Sequence, residues 1–111
     1  MGKYGHSQSF AADLEKVALP ETIETVVIGP SGGDADLDCV PEKRRGAVLT
    51  WEVARPLLDY EYYHGSGDRE CNPVFAWTAT RVLVIAIYDG STWVEAIPRN
   101  PVPCEPEYVG C

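Results

Sequence analysis

The sequence has no long hydrophobic run. Its longest stretch of uninterrupted apolar residues covers residues 82–88, only seven positions, whereas a membrane-spanning helix needs about 20. The first residues also lack the apolar centre of a signal peptide, so we expect no export by that route. These absences predict a cytoplasmic protein with no membrane partner.

Positive charge is scarce. Nine Lys and Arg stand against 17 Asp and Glu, so the net charge is −8. A protein that binds nucleic-acid phosphates needs the opposite balance, and we expect no direct contact with nucleic acid. The same charge suits a basic partner, including a protein that itself binds nucleic acid. Solubility alone also explains such a composition.

Metal-binding patterns are missing as well. The four cysteines, with no C-x-x-C pair among them, are Cys39, Cys71, Cys104 and Cys111. No zinc knuckle is therefore expected, and the lack of an export signal predicts free thiols. Asp34, Asp36 and Asp38 superficially resemble a calcium loop, but Arg45 stands where its last glutamate belongs. We expect no metal and no other cofactor.

Catalytic motifs are equally absent. The sequence contains no phosphate-binding loop, dinucleotide fingerprint, zinc-protease motif or nucleophile elbow. His64 and Cys71 share one segment, but no third residue at a recognisable position would orient them as a catalytic pair. We therefore predict that the protein is not an enzyme.

The first half of the chain combines helix and strand signals. Ser9 can cap a helix over residues 10–18, which Pro20 ends. Residues 22–29 are β-branched and predict a strand. Residues 47–53 fit a strand, but we favour a short strand or turn that leads into a helix over 51–58. Pro56 is unfavourable for this helix, because it removes a donor and clashes with the preceding turn. Residues 59–72 predict a long loop.

The last third has the strongest β signal. Phe75 and Trp77 fall in a short strand, and residues 80–88 form a second one. Apolar residues on both of its faces predict a central strand covered on both sides. Residues 89–91 predict a hairpin turn, from which residues 92–97 return antiparallel. Residues 98–111 contain four prolines and predict an extended tail packed across the surface.

These elements predict one α+β domain over residues 1–111. We expect an antiparallel sheet of four or five strands with one or two short helices on one face. Residues 1–9 are predicted to be a mobile arm.

Aromatic residues are the best candidates for a binding site. Tyrosine and tryptophan bury large areas with few rotatable bonds and dominate interface hot spots. Arg99 and Asn100, held between two prolines, form a rigid pair suited to a planar or anionic group. Core packing explains each tryptophan, and turn chemistry explains the Arg-Asn pair, about as well. The predicted binding residues are Tyr60, Tyr62, Tyr63, Trp93, Arg99 and Asn100.

One part of the chain resembles known proteins. The pattern TWE, LLDYEY, AWT, YDGST and PRNP over residues 50–101 resembles small uncharacterised proteins of bacteriophages and bacterial mobile elements. The resemblance implies a phage-encoded protein that acts in the cytoplasm of a host cell. It assigns no catalytic or binding residue.

The leading functional hypothesis is a non-catalytic binding protein that inhibits a basic, nucleic-acid-handling or immune protein of the host. A second hypothesis is a protein that sequesters a small ligand, such as a nucleotide signal, with aromatic residues and Arg99. A third is a phage structural or assembly component. An open sheet edge would favour a homodimer or addition of a partner strand.

Overall fold

A five-stranded antiparallel sheet forms the centre of the fold. The computed structural model describes residues 8–30, 40–62, 71–88 and 91–109. The sheet has the order β3-β2-β5-β6-β7, and β1 pairs separately with β4. The elements in chain order are β1 (Gln8–Ser9), α1 (Phe10–Ala18), β2 (Thr25–Ile28), β3 (Val48–Thr50), α2 (Trp51–Leu58), β4 (Glu61–Tyr62), β5 (Val74–Trp77), β6 (Arg81–Tyr88) and β7 (Ser91–Pro98). The predicted α+β fold is confirmed.

Both helices begin at a hydroxyl cap. Ser9 Oγ accepts a hydrogen bond from the backbone N–H of Ala12 at 3.2 Å, and Thr50 Oγ1 accepts one from the N–H of Val53 at 3.3 Å. These bonds satisfy donors that the first helical turn leaves without partners. Residues 47–58 thus form a short strand followed by a helix, as favoured from the sequence, and Pro56 is exposed in the last turn of α2.

The helices cover one face of the sheet. The strand register aligns one row of side chains across all five strands, and this row faces the helices: Leu49, Val26, Ala76, Leu83 and Ala96. The apolar residues of α1 and α2 pack on it, chiefly Phe10, Leu14, Ala18, Ala54 and Leu58. The core therefore lies in a single layer between the helices and the sheet.

A shared carboxylate joins the two helices. Glu15 on α1 accepts two hydrogen bonds from Arg55 on α2, at 3.0 and 3.2 Å, and one from the indole N–H of Trp51 at 3.0 Å. The hydrogen bond from Arg55 is the largest cause that lowers the pKa of Glu15 below its usual value. Asp59 completes the link, because it binds Arg55 at 3.2 Å and accepts from Ser9 Oγ at 2.8 Å.

A second polar cluster ties the end of α1 to the β5–β6 turn. The Arg81 guanidinium donates to the backbone carbonyls of Val17 and Ala18, at the end of the helix, and to that of Leu19, which follows it. Glu21 accepts hydrogen bonds from the hydroxyls of Thr78 and Thr80, both at 2.6 Å. The hydrogen bond from Thr78, followed by that from Thr80, lowers the pKa of Glu21 from 4.5 to about 2.

The structure corrects three expectations. Gln8 and Ser9 pair with β4 and so do not belong to a mobile arm. Strand β6 lies inside the sheet as predicted, but helices cover only one of its faces. Residues 99–109 are each exposed rather than packed down, and no hydrogen bond joins residues 100–109 to the rest of the described chain. The structure does not describe residues 1–7, the acidic loop around Asp36, or the turn residues 89 and 90.

Truncation on the covered face should cost far more stability than truncation on the other. Leu83 is fully buried, so Leu83→Ala should lower the free energy of unfolding by about 2–5 kcal/mol. Phe75→Ala removes a larger side chain that is 55% exposed, and we expect a loss of about 1 kcal/mol or less. Urea unfolding of both variants measures this. Equal losses of free energy would show that both faces of the sheet belong to the core.

We expect Glu21 to make the stability of the fold depend on pH. Its pKa is about 2 in the folded chain against 4.5 when unperturbed, so its stabilising effect is complete above pH 4.5 and is lost as the pH falls toward 2. Melting temperatures measured at several pH values across this window should differ between wild type and Glu21→Gln above pH 4.5 and should converge as the pH falls toward 2. Glu105→Gln, a charge change on the exposed tail, is the control. A constant difference between wild type and Glu21→Gln would contradict the assignment.

Candidate functional site

The second face of the sheet, which we call the open face, is apolar and reaches solvent. Two rows of side chains cross all five strands on it. The first row is Val48, Val27, Phe75, Val84 and Glu95, and the second is Thr50, Thr25, Trp77, Val82 and Ile97. Ala86, Tyr88, Ser91 and Trp93 extend the surface along β6 and β7. Among the described residues of these strands, Glu95 is the only charged side chain on this face.

Large hydrophobic side chains on this face are accessible. Val48 is 75% exposed, Phe75 55% and Tyr88 54%. Trp93 and Ile97 are also partly exposed. Scattered apolar residues on a surface need no explanation, but a contiguous sheet face of aromatic and branched side chains is typical of an interaction site.

Two contacts fix the aromatic rings of the open face. Phe75 and Trp77 pack edge to face with centroids 6.1 Å apart. The Trp93 indole N–H donates to Glu95 Oε1 at 2.6 Å, so the ring and the carboxylate hold one another in place. Rigid aromatic side chains lose little conformational entropy when a partner covers them, which suits an interface anchor.

An apolar pocket opens at one edge of this face. Its volume is about 350 Å³, and its walls include Val27, Phe75 and Pro73. Arg45 is the one charged residue that lines it. Gly46 beside it has φ +80° and donates its N–H to the Ile28 carbonyl at 2.8 Å, a conformation that favours glycine. Pockets of this size accept small ligands.

A larger groove lies beside β7, the last strand in the order of the sheet. Its volume is about 850 Å³, and it lies between residues 93–98 of the strand and residues 99–109 of the tail. Trp93, Glu95 and Ile97 line it from the open face, and Ala96 and Pro98 line it from the helix side of the strand. Its charged residues are Glu95, Arg99, Glu105 and Glu107.

The predicted tyrosine cluster lies in and beside the core. Tyr62 is 1% exposed, and its hydroxyl donates to Asp13. Burial, reinforced by the Asp13 bond, raises the Tyr62 pKa, so the hydroxyl remains a donor. Tyr60 packs on Phe10 and donates to the buried Asn72 at 2.6 Å. Such positions do not suit the exposed anchors that sequence analysis assigned to Tyr60 and Tyr62. Tyr63 lies outside the described residues.

Trp93, Arg99 and Asn100 lie together at the β7 edge. All three line the groove. The Arg99 guanidinium does not project freely into solvent, because it donates to the Thr78 carbonyl at 2.6 Å and contacts Glu24 at 3.4 Å. Its backbone N–H donates to the Thr80 carbonyl at 2.9 Å. Arg99 thus bonds to the β5–β6 turn through its backbone and its side chain. Asn100 is exposed.

Side chains that could bind a metal are spread apart in the part of the chain that the structure describes. Among residues 8–30, 40–62, 71–88 and 91–109, no group of three His, Cys, Asp or Glu residues could hold a metal ion. Cys71 is buried, and Cys104 is an exposed free thiol. Both histidines, Cys39 and Cys111 lie outside the described ranges. Within the same ranges, no helix has the length and apolar character needed to cross a bilayer.

Sequence analysis missed the open face as a unit. Phe75 and Trp77 were placed on one strand, and their alternation with buried Val74 and Ala76 is the signal that separates the two faces. The residues that complete the surface come from β2 and β3, which lie far away in the sequence. Comparisons with protein-family models, with curated proteins and with solved structures find no match for this chain.

We expect Arg99 to stabilise the fold as well as to line the groove. Arg99→Ala removes the bonds to Thr78 and Glu24, and we expect it to lower the free energy of unfolding by about 0.5–1.5 kcal/mol. Asn100→Ala, at the exposed neighbour, should change it by less than about 0.5 kcal/mol. Chemical denaturation of the two variants provides the comparison. An Arg99→Ala variant as stable as Asn100→Ala would show that these contacts contribute nothing.

Proposed function

We propose that the chain is a non-catalytic binding protein that docks on a basic partner protein through its open face. The observation that carries the proposal is the pair of rows across the sheet, which present aromatic and branched side chains to solvent with one carboxylate among them. A stable interface needs an apolar centre with polar groups at its rim. Phe75, Trp77 and Trp93 supply the anchors that such a centre uses.

The charge supports a basic partner. With a net charge of −8, the protein attracts a cationic surface over several ångströms and repels another acidic one. Proteins that handle nucleic acid carry such cationic surfaces. Taken with the resemblance to phage proteins, this favours a phage-encoded inhibitor of a nucleic-acid-handling or immune protein in the host cytoplasm.

Capture from a bacterial lysate tests whether the open face is the interface. Phe75→Asp places a charge in the centre of the surface and should abolish retention of the partner, because that charge must be desolvated on docking. Val53→Asp makes the same type of change at an exposed apolar residue of α2 and should retain it. Equal retention by both variants would contradict the proposal.

The salt dependence of association tests the charge of the partner. For the captured protein, we expect the association rate constant to fall steeply between about 0.05 and about 0.5 M salt, since screening shortens the reach of the charge. Stopped-flow tryptophan fluorescence gives the rate. A rate constant that does not change with salt would exclude a cationic partner surface.

The small-ligand hypothesis keeps one supporting observation, the pocket of about 350 Å³ lined by Phe75 and Arg45. A nucleotide could place its base on the ring and its phosphate toward the guanidinium. Nucleotides that raise the melting temperature of the wild type, but not of Arg45→Gln, would favour this function over protein docking.

A further inference from the structure

One carboxylate lies among the apolar side chains of the open face. Glu95 is opposite Val84 of β6, and along β7 it lies between Trp93 and Ile97 on the same face. Among the described residues, its carboxylate has one hydrogen-bond partner, the indole N–H of Trp93 at 2.6 Å. No lysine or arginine side chain of the described chain pairs with it. The negative charge of Glu95 is therefore not compensated by a cation within the part of the chain that the structure describes.

A partner that covers the open face would remove water from Glu95. Burial of a carboxylate without a cation costs more free energy than burial of an apolar side chain contributes. The bond from Trp93 reaches only Oε1 of this carboxylate. A partner that places a cation at this position keeps the apolar contacts and compensates the charge. The open face therefore favours a partner with a basic side chain opposite Glu95.

The groove beside β7 has room for such a side chain. Its volume is about 850 Å³, and Trp93 and Glu95 both line it. Two carboxylates of the tail also line it, those of Glu105 and Glu107. Among the described residues that line the groove, Arg99 is the one cation, and it is already bound to a backbone carbonyl and a carboxylate. The charge of the groove therefore favours a cationic occupant.

The pairing of an indole with a carboxylate suits arginine better than lysine. The Trp93 side chain is 36% exposed, and its bond to Glu95 holds the ring beside the carboxylate. A guanidinium is planar, so it can stack on an aromatic ring while its N–H groups bond to a carboxylate. A lysine ammonium is a compact and strongly hydrated charge that does not stack. Trp93 and Glu95 thus offer contacts for the plane and for the edge of one guanidinium.

We propose that the groove accepts an arginine side chain of the partner protein, which stacks on Trp93 and pairs with Glu95. This inference rests on the proposed function and specifies one residue of the partner by its chemistry. The apolar rows of the open face supply contact area, and the Trp93–Glu95 pair selects the partner by its charge at one position. A neutral or acidic residue at that position would leave Glu95 buried without a cation.

Titration with short peptides tests the site in the purified chain. The NMR resonance of the Trp93 indole N–H, identified by its loss in Trp93→Phe, reports on the ring that the guanidinium would contact. We expect a capped glycine–arginine–glycine peptide to shift this resonance and to bind at least tenfold more tightly than its citrulline analogue, which has a similar shape but no charge. Equal binding of these two peptides, or no shift with millimolar arginine peptide, would overturn the proposal. A lysine analogue that binds as tightly as the arginine peptide would contradict the choice of arginine.

Two carboxylate variants separate the local site from the overall charge. Glu95→Gln keeps an oxygen that can accept the Trp93 N–H but removes the charge, so it should weaken binding of the arginine peptide roughly fivefold or more. Glu52→Gln makes the same change of net charge at an exposed residue of α2 and should leave binding unchanged. Equal weakening by both variants would show that the peptide responds to net charge alone and would refute the site. A Trp93 resonance that shifts with protein concentration, without peptide, would identify a second copy as the occupant and also refute it.

These outcomes separate the inference from the proposed function, because the peptide experiments do not depend on the unidentified partner. Failure of the arginine peptide to bind, combined with loss of partner capture by Phe75→Asp, would reject the arginine site and leave docking on the open face intact. A shift of the Trp93 resonance that depends on Glu95, combined with equal capture by Phe75→Asp and Val53→Asp, would reject docking on the open face and leave the arginine site.

Discussion

The rest of the structure depends on how the helices cover the sheet. Two helices of nine and eight residues must bury the inner face of five strands, and they do so with a single layer of side chains between helix and sheet. Nothing of comparable size among the described residues covers the other face. A sheet can remain stable with one face in water, but that face is normally polar. Here it is aromatic and β-branched, which is why it is the strongest candidate for contact with another molecule.

Charge and apolar surface occupy different places. The carboxylates of Glu15 and Glu21 are engaged in internal contacts that hold α1 to α2 and to the β5–β6 turn. Those of Glu105 and Glu107 lie on the exposed tail. The tail carboxylates therefore face solvent, where they can attract a partner.

Local signals in the sequence predicted the elements well. Ser9, Thr50 and Pro20 determine helix limits through short-range chemistry, and the helices occupy the ranges expected. The two faces of β6 could not be told apart in this way, since Val82 and Leu83 are equally apolar. Which of them is buried depends on where α1 packs, and that follows from contacts between distant segments. The burial of Tyr62, one of the predicted binding residues, has the same kind of cause, because it packs against Phe10 and its hydroxyl donates to Asp13.

The cap that Arg81 places on α1 also affects when this helix can be stabilised during synthesis of the chain. The guanidinium and the carbonyl of Ala18 are separated by 63 positions in the chain. During synthesis at about 5–20 residues per second, the helix waits roughly 3–13 s for the side chain that completes its last turn. Isolated helices of this length are marginal in water. The end of α1 therefore lacks this cap until Arg81 has been synthesised.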